Sequence, residues 1–154
     1  MKYLLFLIIS ISTSFIFAQE EVIENEKIQQ TISLLFDGMR KSDSSMVRSA
    51  FLTNAGMRTT FTNKKTGLPS IQKGSLDKFL EAIGTEKNDF WDERISEVQI
   101  HLDDNLAQVW MNYSFYINEE FSHCGVNSIQ LIKTSDGWKI SDIADTRRAE
   151  RCGK

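Results

Sequence analysis

Apolar residues in this chain first run together, then recur at helical spacing, and finally alternate with polar ones. From Tyr3 to Phe17 the sequence is apolar apart from Ser10, Ser12, Thr13 and Ser14, and it turns polar at Gln19-Glu20. A positive start at Lys2, a short apolar run and the small residue Ala18 before the switch form the pattern of a cleavable export signal. A membrane-spanning helix needs ~20 apolar residues, and this hydroxyl-interrupted run is shorter. Residues 1–18 are expected to be a signal peptide. Residues 19–154 are then a single domain that is periplasmic or secreted and has no membrane attachment after cleavage.

Past the switch, Ile28, Ile32, Leu35, Phe36 and Met39 share one helical face, so an amphipathic helix is predicted from about Glu24 to Lys41. Ser42 or Asp43 can cap a second, shorter helix carrying Met46, Val47, Ala50 and Phe51. Gly56 to Thr62 reads as a short strand, Asn63 to Gly67 as a turn, and Pro69 keeps the next stretch extended. Ser75 caps a third helix with Leu76, Phe79, Leu80 and Ile83 on one face, and Gly84 suits its C-terminal stop.

From Ile95 the period becomes two. Turn signals at Asp104-Asn105, Asn118-Glu119-Glu120 and Ser135-Asp136-Gly137 divide the rest into four antiparallel strands: about Arg94 to Asp103, Leu106 to Ile117, Phe121 to Thr134 and Trp138 to Ala144. A two-residue first turn sets Val98 against Met111, Ile100 against Val109 and Leu102 against Ala107. A three-residue second turn sets Ile117 against Phe121, Val109 against Ile129 and Ala107 against Leu131. Apolar thus meets apolar across three strands. Ile140 and Ile143 have opposite parity, so the last strand needs a bulge to bury both. Helices followed by a meander of long strands predict an α+β fold, three N-terminal helices packed on a curved antiparallel sheet.

This order, ending in Asp136-Gly137-Trp138-Lys139-Ile140, resembles the nuclear transport factor 2-like superfamily, and most of all its small bacterial branch labelled lumazine-binding or polyketide-cyclase-like. The resemblance covers about Glu24 to Arg148. It implies a cone-shaped fold with a pocket inside the cone, and frequent dimers through the sheet. The functions it implies run from ketosteroid isomerisation and scytalone dehydration to plain ligand or protein binding. No stretch matches a catalytic motif of those enzymes, and fold alone does not choose among the functions.

The same register gathers polar groups at one end of the apolar face. Phe115 falls opposite His123, Tyr113 opposite Gly125 and Met111 opposite Asn127, with Arg94 and Ser96 beside them on the neighbouring strand. Arg94, Ser96, Tyr113, His123 and Asn127 are therefore the candidate ligand-binding residues, and Gly125 is expected to leave space. The candidate catalytic residues are His123, as a general acid/base, and Asp145 or Asp142, orienting it. Trp91 and Phe90 read as packing residues rather than a stacking platform. His101 lies on the opposite face from His123.

Composition narrows the partners. Residues 1–18 carry one positive charge, so their loss takes the net charge from −3 to −4, and nucleic acid is not expected as a partner. The basic tail Arg147, Arg148 and Arg151 reads as a solvated segment. The sheet's other face mixes Trp110, Tyr116, Val126 and Ile132 with polar residues, which fits a homodimer interface. Cys124 and Cys152 are the only cysteines. Cys124 beside His123 lacks the paired spacing of a zinc site, so no metal or cofactor is expected. Export favours a Cys124–Cys152 disulfide, which requires the tail to turn back across the third long strand.

The sequence therefore points first to an exported domain that binds an unknown small molecule, or serves as an accessory, without turnover. The alternatives are an acid/base isomerase, dehydratase or cyclase using His123, and a protein-interaction module acting through the sheet face.

Overall fold

In a computed structural model of the chain, the described residues are 2–85, 89–150 and 152, with side chains from residue 19 onward. Arg151 and Gly153 of the tail lie outside them. The elements run α1 (Lys2–Arg40), α2 (Ser44–Ser49), β1 (Phe51–Thr62), β2 (Pro69–Lys73), α3 (Leu76–Gly84), β3 (Trp91–Asp103), β4 (Leu106–Ile117), β5 (Glu120–Thr134) and β6 (Gly137–Arg147). The six strands form one curved sheet in the order β2-β1-β6-β5-β4-β3. All neighbours are antiparallel except β1 and β6, which run parallel.

The helical periodicity becomes a face. Ile28, Ile32, Leu35, Phe36 and Met39 of α1 are buried with Val109, Met111, Ile129, Leu131 and Ile140 of the sheet. At α2, Asp43 is the cap, its carboxylate accepting from the Met46 amide at 2.8 Å. Phe51 opens β1 rather than closing α2. It pairs with Ile140, four residues loop out, and pairing resumes at Gly56 and Asp142. Gly84 stays right-handed at the last position of α3. Its role is close approach, since a Cβ there would meet Ser44 Oγ at 2.8 Å.

Trp138 explains why the β5–β6 hairpin is a packing feature. Its indole Nε1 donates to Glu24 Oε2 at 2.8 Å, and Glu24 also holds Lys27 at 2.8 Å and Lys133 at 3.1 Å. The hydrogen bond from Lys27, followed by that from Trp138, holds the Glu24 carboxyl down at about 2. A charge-assisted bond of this kind contributes ~1.5–3 kcal/mol, and it ties α1 to the start of the last strand.

Turns and bulges set the register. Asn118 and Glu119 both have positive φ and form a two-residue turn. Tyr116 therefore pairs with Phe121 and Ile117 with Glu120, not Ile117 with Phe121. A bulge at Ser122 then restores the expected pairing of Phe115 with His123, Val109 with Ile129 and Ala107 with Leu131. In β6 the bulge falls at Ser141, and Ile140 and Ile143 are both buried.

A further bulge in β3 changes the outcome. Ile100 pairs with Val109 and Leu102 with Ala107, but Ser96 pairs with Asn112, so Glu97 and Val98 interrupt the ladder. Val98 is 41 % exposed and does not oppose Met111. Glu97 takes φ 52, the left-handed conformation that accommodates the extra residue.

Candidate functional site

The bulge in β3 moves everything before it by one residue, and side chains one residue apart point to opposite faces. Arg94 pairs with Ser114 and Ser96 with Asn112, which puts both on the outer face, away from Tyr113 and Phe115. There the Arg94 guanidinium donates from Nε to Asp92 Oδ2 at 2.6 Å and lies 4.1 Å over the Tyr116 ring. The residues that face inward in their place are Glu93, opposite Phe115, and Ile95, opposite Tyr113. A carboxylate stands where a guanidinium was expected.

A cavity of about 690 Å³ lies between the helices and the inner face of the sheet. Its apolar walls include Phe36, Met39, Phe79, Trp91 and Phe115. Beside Phe115 on the same inner face stand Glu93, Tyr113, His123, Asn127 and Asp145, and the exposed residues Gln72 to Ser75 with Lys78 form the mouth. Tyr113, His123 and Asn127 thus come together as the register requires. Glu93 is the residue that sequence reasoning missed.

The polar wall is internally bonded. Asn127 Nδ2 donates to Glu93 Oε1 at 2.7 Å, and Thr59 Oγ1 donates to Asp145 Oδ1 at 2.7 Å. The Tyr113 hydroxyl donates to the Thr146 carbonyl at 2.9 Å and lies 3.3 Å from Asp145 Oδ2. Gly125 permits this arrangement, because a Cβ there would meet the Thr146 oxygen at 1.7 Å and the Tyr113 ring at 2.7 Å. Its missing side chain makes room for neighbouring protein, not for a ligand.

Burial dominates the electrostatics. Glu93 is pushed up to about 7, first by desolvation and further by the charge of Asp145, against the Asn127 hydrogen bond. Glu93 is partly buried and lines the cavity. Asp145 is raised by the same desolvation, and the Tyr113 phenol is raised by burial and then by Asp145. His123 falls to about 4 through burial and, second, the charge of Arg147. It is neutral at pH 7.

The His123 ring lies 4.9 Å from that of Phe115 and edge-on to Tyr113 at 5.8 Å, and its Nδ1 is 3.0 Å from Ser122 Oγ. Neither aspartate orients it by a hydrogen bond: Asp142 accepts from Arg58 Nη1 at 2.9 Å, and Asp145 is held by Thr59 and Tyr113. Trp91 meets Phe115 edge-on at 5.9 Å in the cavity wall, whereas Phe90 is exposed. His101 pairs with Gln108 on the outer face. On that face Trp110 and Ile132 are 44 % and 39 % exposed.

A disulfide ties the tail to β5. Cys124 and Cys152 are bonded with Cα atoms 5.8 Å apart. Cys124 also exchanges two backbone hydrogen bonds with Arg148, each 2.9 Å, directly after Thr146 and Arg147. The tail turns back at the point where it supports Tyr113.

A curved sheet wrapped over a long helix, with an apolar cavity ending in a polar wall, defines the nuclear transport factor 2-like class. The chain belongs to the putative lumazine-binding family, whose model matches residues 23–142. Solved structures share the fold at low identity. A nuclear transport factor 2-like protein of unknown function from Shewanella baltica is 15 % identical, with a TM-score of 0.61 over 82 % of this chain and 95 % of that one. A nuclear transport factor 2-like protein with a cystatin-like fold from Novosphingobium aromaticivorans is 10 % identical, with a TM-score of 0.67 over 90 % of each chain. A putative scytalone dehydratase from the same organism is 12 % identical, with a TM-score of 0.66 over 85 % of this chain and 88 % of that one. No curated protein matches the sequence.

Proposed function

We propose that this chain is an exported protein that binds a small molecule in the cavity between α1, α3 and the sheet. The observation that carries the reading is the cavity itself: apolar aromatic walls with a few converging polar groups at one end are the usual form of a small-ligand site. A cone filled by its own Phe115, Tyr113 and tryptophan side chains would have favoured a pure interaction module, and a cavity of about 690 Å³ favours a ligand instead.

A second reading, proton-transfer chemistry on the bound molecule, is favoured by one observation. Glu93 sits in the cavity with its carboxyl raised to about 7, where a general base works well at neutral pH. In this reading Glu93 takes the role first considered for His123, whose neutral ring serves as a wall and hydrogen-bonding group.

The test is a thermal-shift screen of small molecules against the wild type and Met57→Trp, since Met57 lines the cavity and a larger side chain there fills it. A ligand at 100 times its Kd should stabilise the wild type by ~2.7 kcal/mol, equivalent to roughly 5–10 °C. Folded Met57→Trp should not respond. A response of equal size in the variant would place the ligand elsewhere.

A further inference from the structure

Resting on the binding reading above, we infer that the ligand's inner end is a nitrogen hydrogen-bond donor, an amine seated on the Glu93 carboxylate, with its apolar body among Phe36, Phe79, Trp91 and Phe115. The β3 bulge turns Arg94 away from the cavity and turns Glu93 in, so the strand presents an acceptor to whatever occupies it. Glu93 Oε1 receives the Asn127 amide at 2.7 Å, while Oε2 accepts no hydrogen bond from any described residue. Asp145 Oδ1 accepts from Thr59, and its Oδ2 lies 3.3 Å from the Tyr113 hydroxyl, whose proton goes to the Thr146 carbonyl. Glu93 Oε2 is thus a carboxylate oxygen in the cavity wall left without a donor among the described residues, and a ligand that supplies one is favoured over an apolar or anionic end. A charged nitrogen there makes a charge-assisted bond, and the aromatic walls favour a cation beside them.

Charged and titratable groups around Glu93 fix the expected pH dependence. On β6 these are Asp145 and Arg147, on β4 Tyr113, and on β5 His123. From α1, Arg40 donates Nη1 to the Glu93 carbonyl at 3.3 Å and so neutralises no side-chain charge there, and Lys73 of β2 and Lys78 of α3 stand at the mouth. Asp145 adds attraction for an ammonium group, while Arg147, Lys73 and Lys78 act from exposed positions and are screened by solvent. Amine binding should therefore strengthen as Glu93 ionises, with a proton released to buffer.

Calorimetric titration with three probes of one size tests this: 3-phenylpropylamine, 3-phenylpropanol and 3-phenylpropanoate. At pH 8 the amine should bind at least about tenfold tighter than the carboxylate. Its affinity should rise from pH 6 to pH 8, and Glu93→Gln should erase both the preference and the pH dependence while alcohol binding persists. Tighter carboxylate binding, or an amine preference unchanged in Glu93→Gln, would overturn the assignment. Equal binding of all three probes that is lost in Met57→Trp would overturn the ligand class and leave the cavity reading standing. No binding by any probe at millimolar concentration would overturn both.

Discussion

Glu93→Gln should stabilise the protein by about 2–3 kcal/mol at pH 8 and by little at pH 5. Folding moves the Glu93 carboxyl from its ordinary 4.5 up to about 7, with desolvation the first cause. Between those values the folded state holds a proton that the unfolded state has lost, so Glu93 costs stability progressively as pH rises from 4.5 through 7. Below 4.5 both states are protonated and the cost vanishes. Glutamine keeps an oxygen for the Asn127 amide and removes the buried charge. The His123 shift runs the other way, with a folded value near 4 weakening the protein as pH falls below 6.5, but wild type and variant share it and it cancels in their difference. Urea unfolding of both proteins at pH 5 and pH 8 measures the effect. A variant that is less stable at both values would mean that the carboxylate is well solvated or paired in the folded protein.

The disulfide carries a comparable load. Cys124 and Cys152 are 28 residues apart, and constraining a loop of that size contributes about 3–4 kcal/mol in the chain-entropy picture. Cys152→Ser should lower the melting temperature by roughly 10 °C. The loss should concentrate at the polar end of the cavity. Thr146, which accepts from Tyr113 and receives the Val126 amide on its Oγ1 at 3.0 Å, sits two residues before the Cys124–Arg148 bridge. Hydrogen exchange at Val126 should accelerate in the variant, while amides in the middle of β4 stay protected. An unchanged melting temperature, with or without reductant, would show that the tail contributes nothing to holding the wall.

Much of this was legible because period and turn length constrain a sheet together. Val109 with Ile129 and Ala107 with Leu131 could be paired from the sequence, since those stretches alternate cleanly and one face is buried. The Asn118–Glu119 turn is one residue shorter than its sequence suggests, and the Ser122 bulge restores the same register beyond it, which is why His123 falls opposite Phe115. The opposite parity of Ile140 and Ile143 announced a bulge in β6, and it is there. The same signal existed in β3, where Trp91 and Ile95 have one parity and Ile100 and Leu102 the other. Val98, apolar and in phase with the second pair, disguised the break, and the cavity carboxylate was lost with it. Strand β1 was half hidden for a different reason: Leu52 to Ala55 loop out of the parallel pairing, so no alternation marks the strand's first half. The pairing of β1 with β6 joins segments distant in sequence, and no local pattern encodes it.

Whether the cavity is a binding site or an unfilled core is decided by native mass spectrometry of the protein purified from the organism that makes it. The expected result is a chain beginning at Gln19 and a population carrying a noncovalently held small molecule, present in the wild type and absent when Met57→Trp is expressed and purified the same way. The bare chain alone in the wild type, or the same added mass in both proteins, would contradict it.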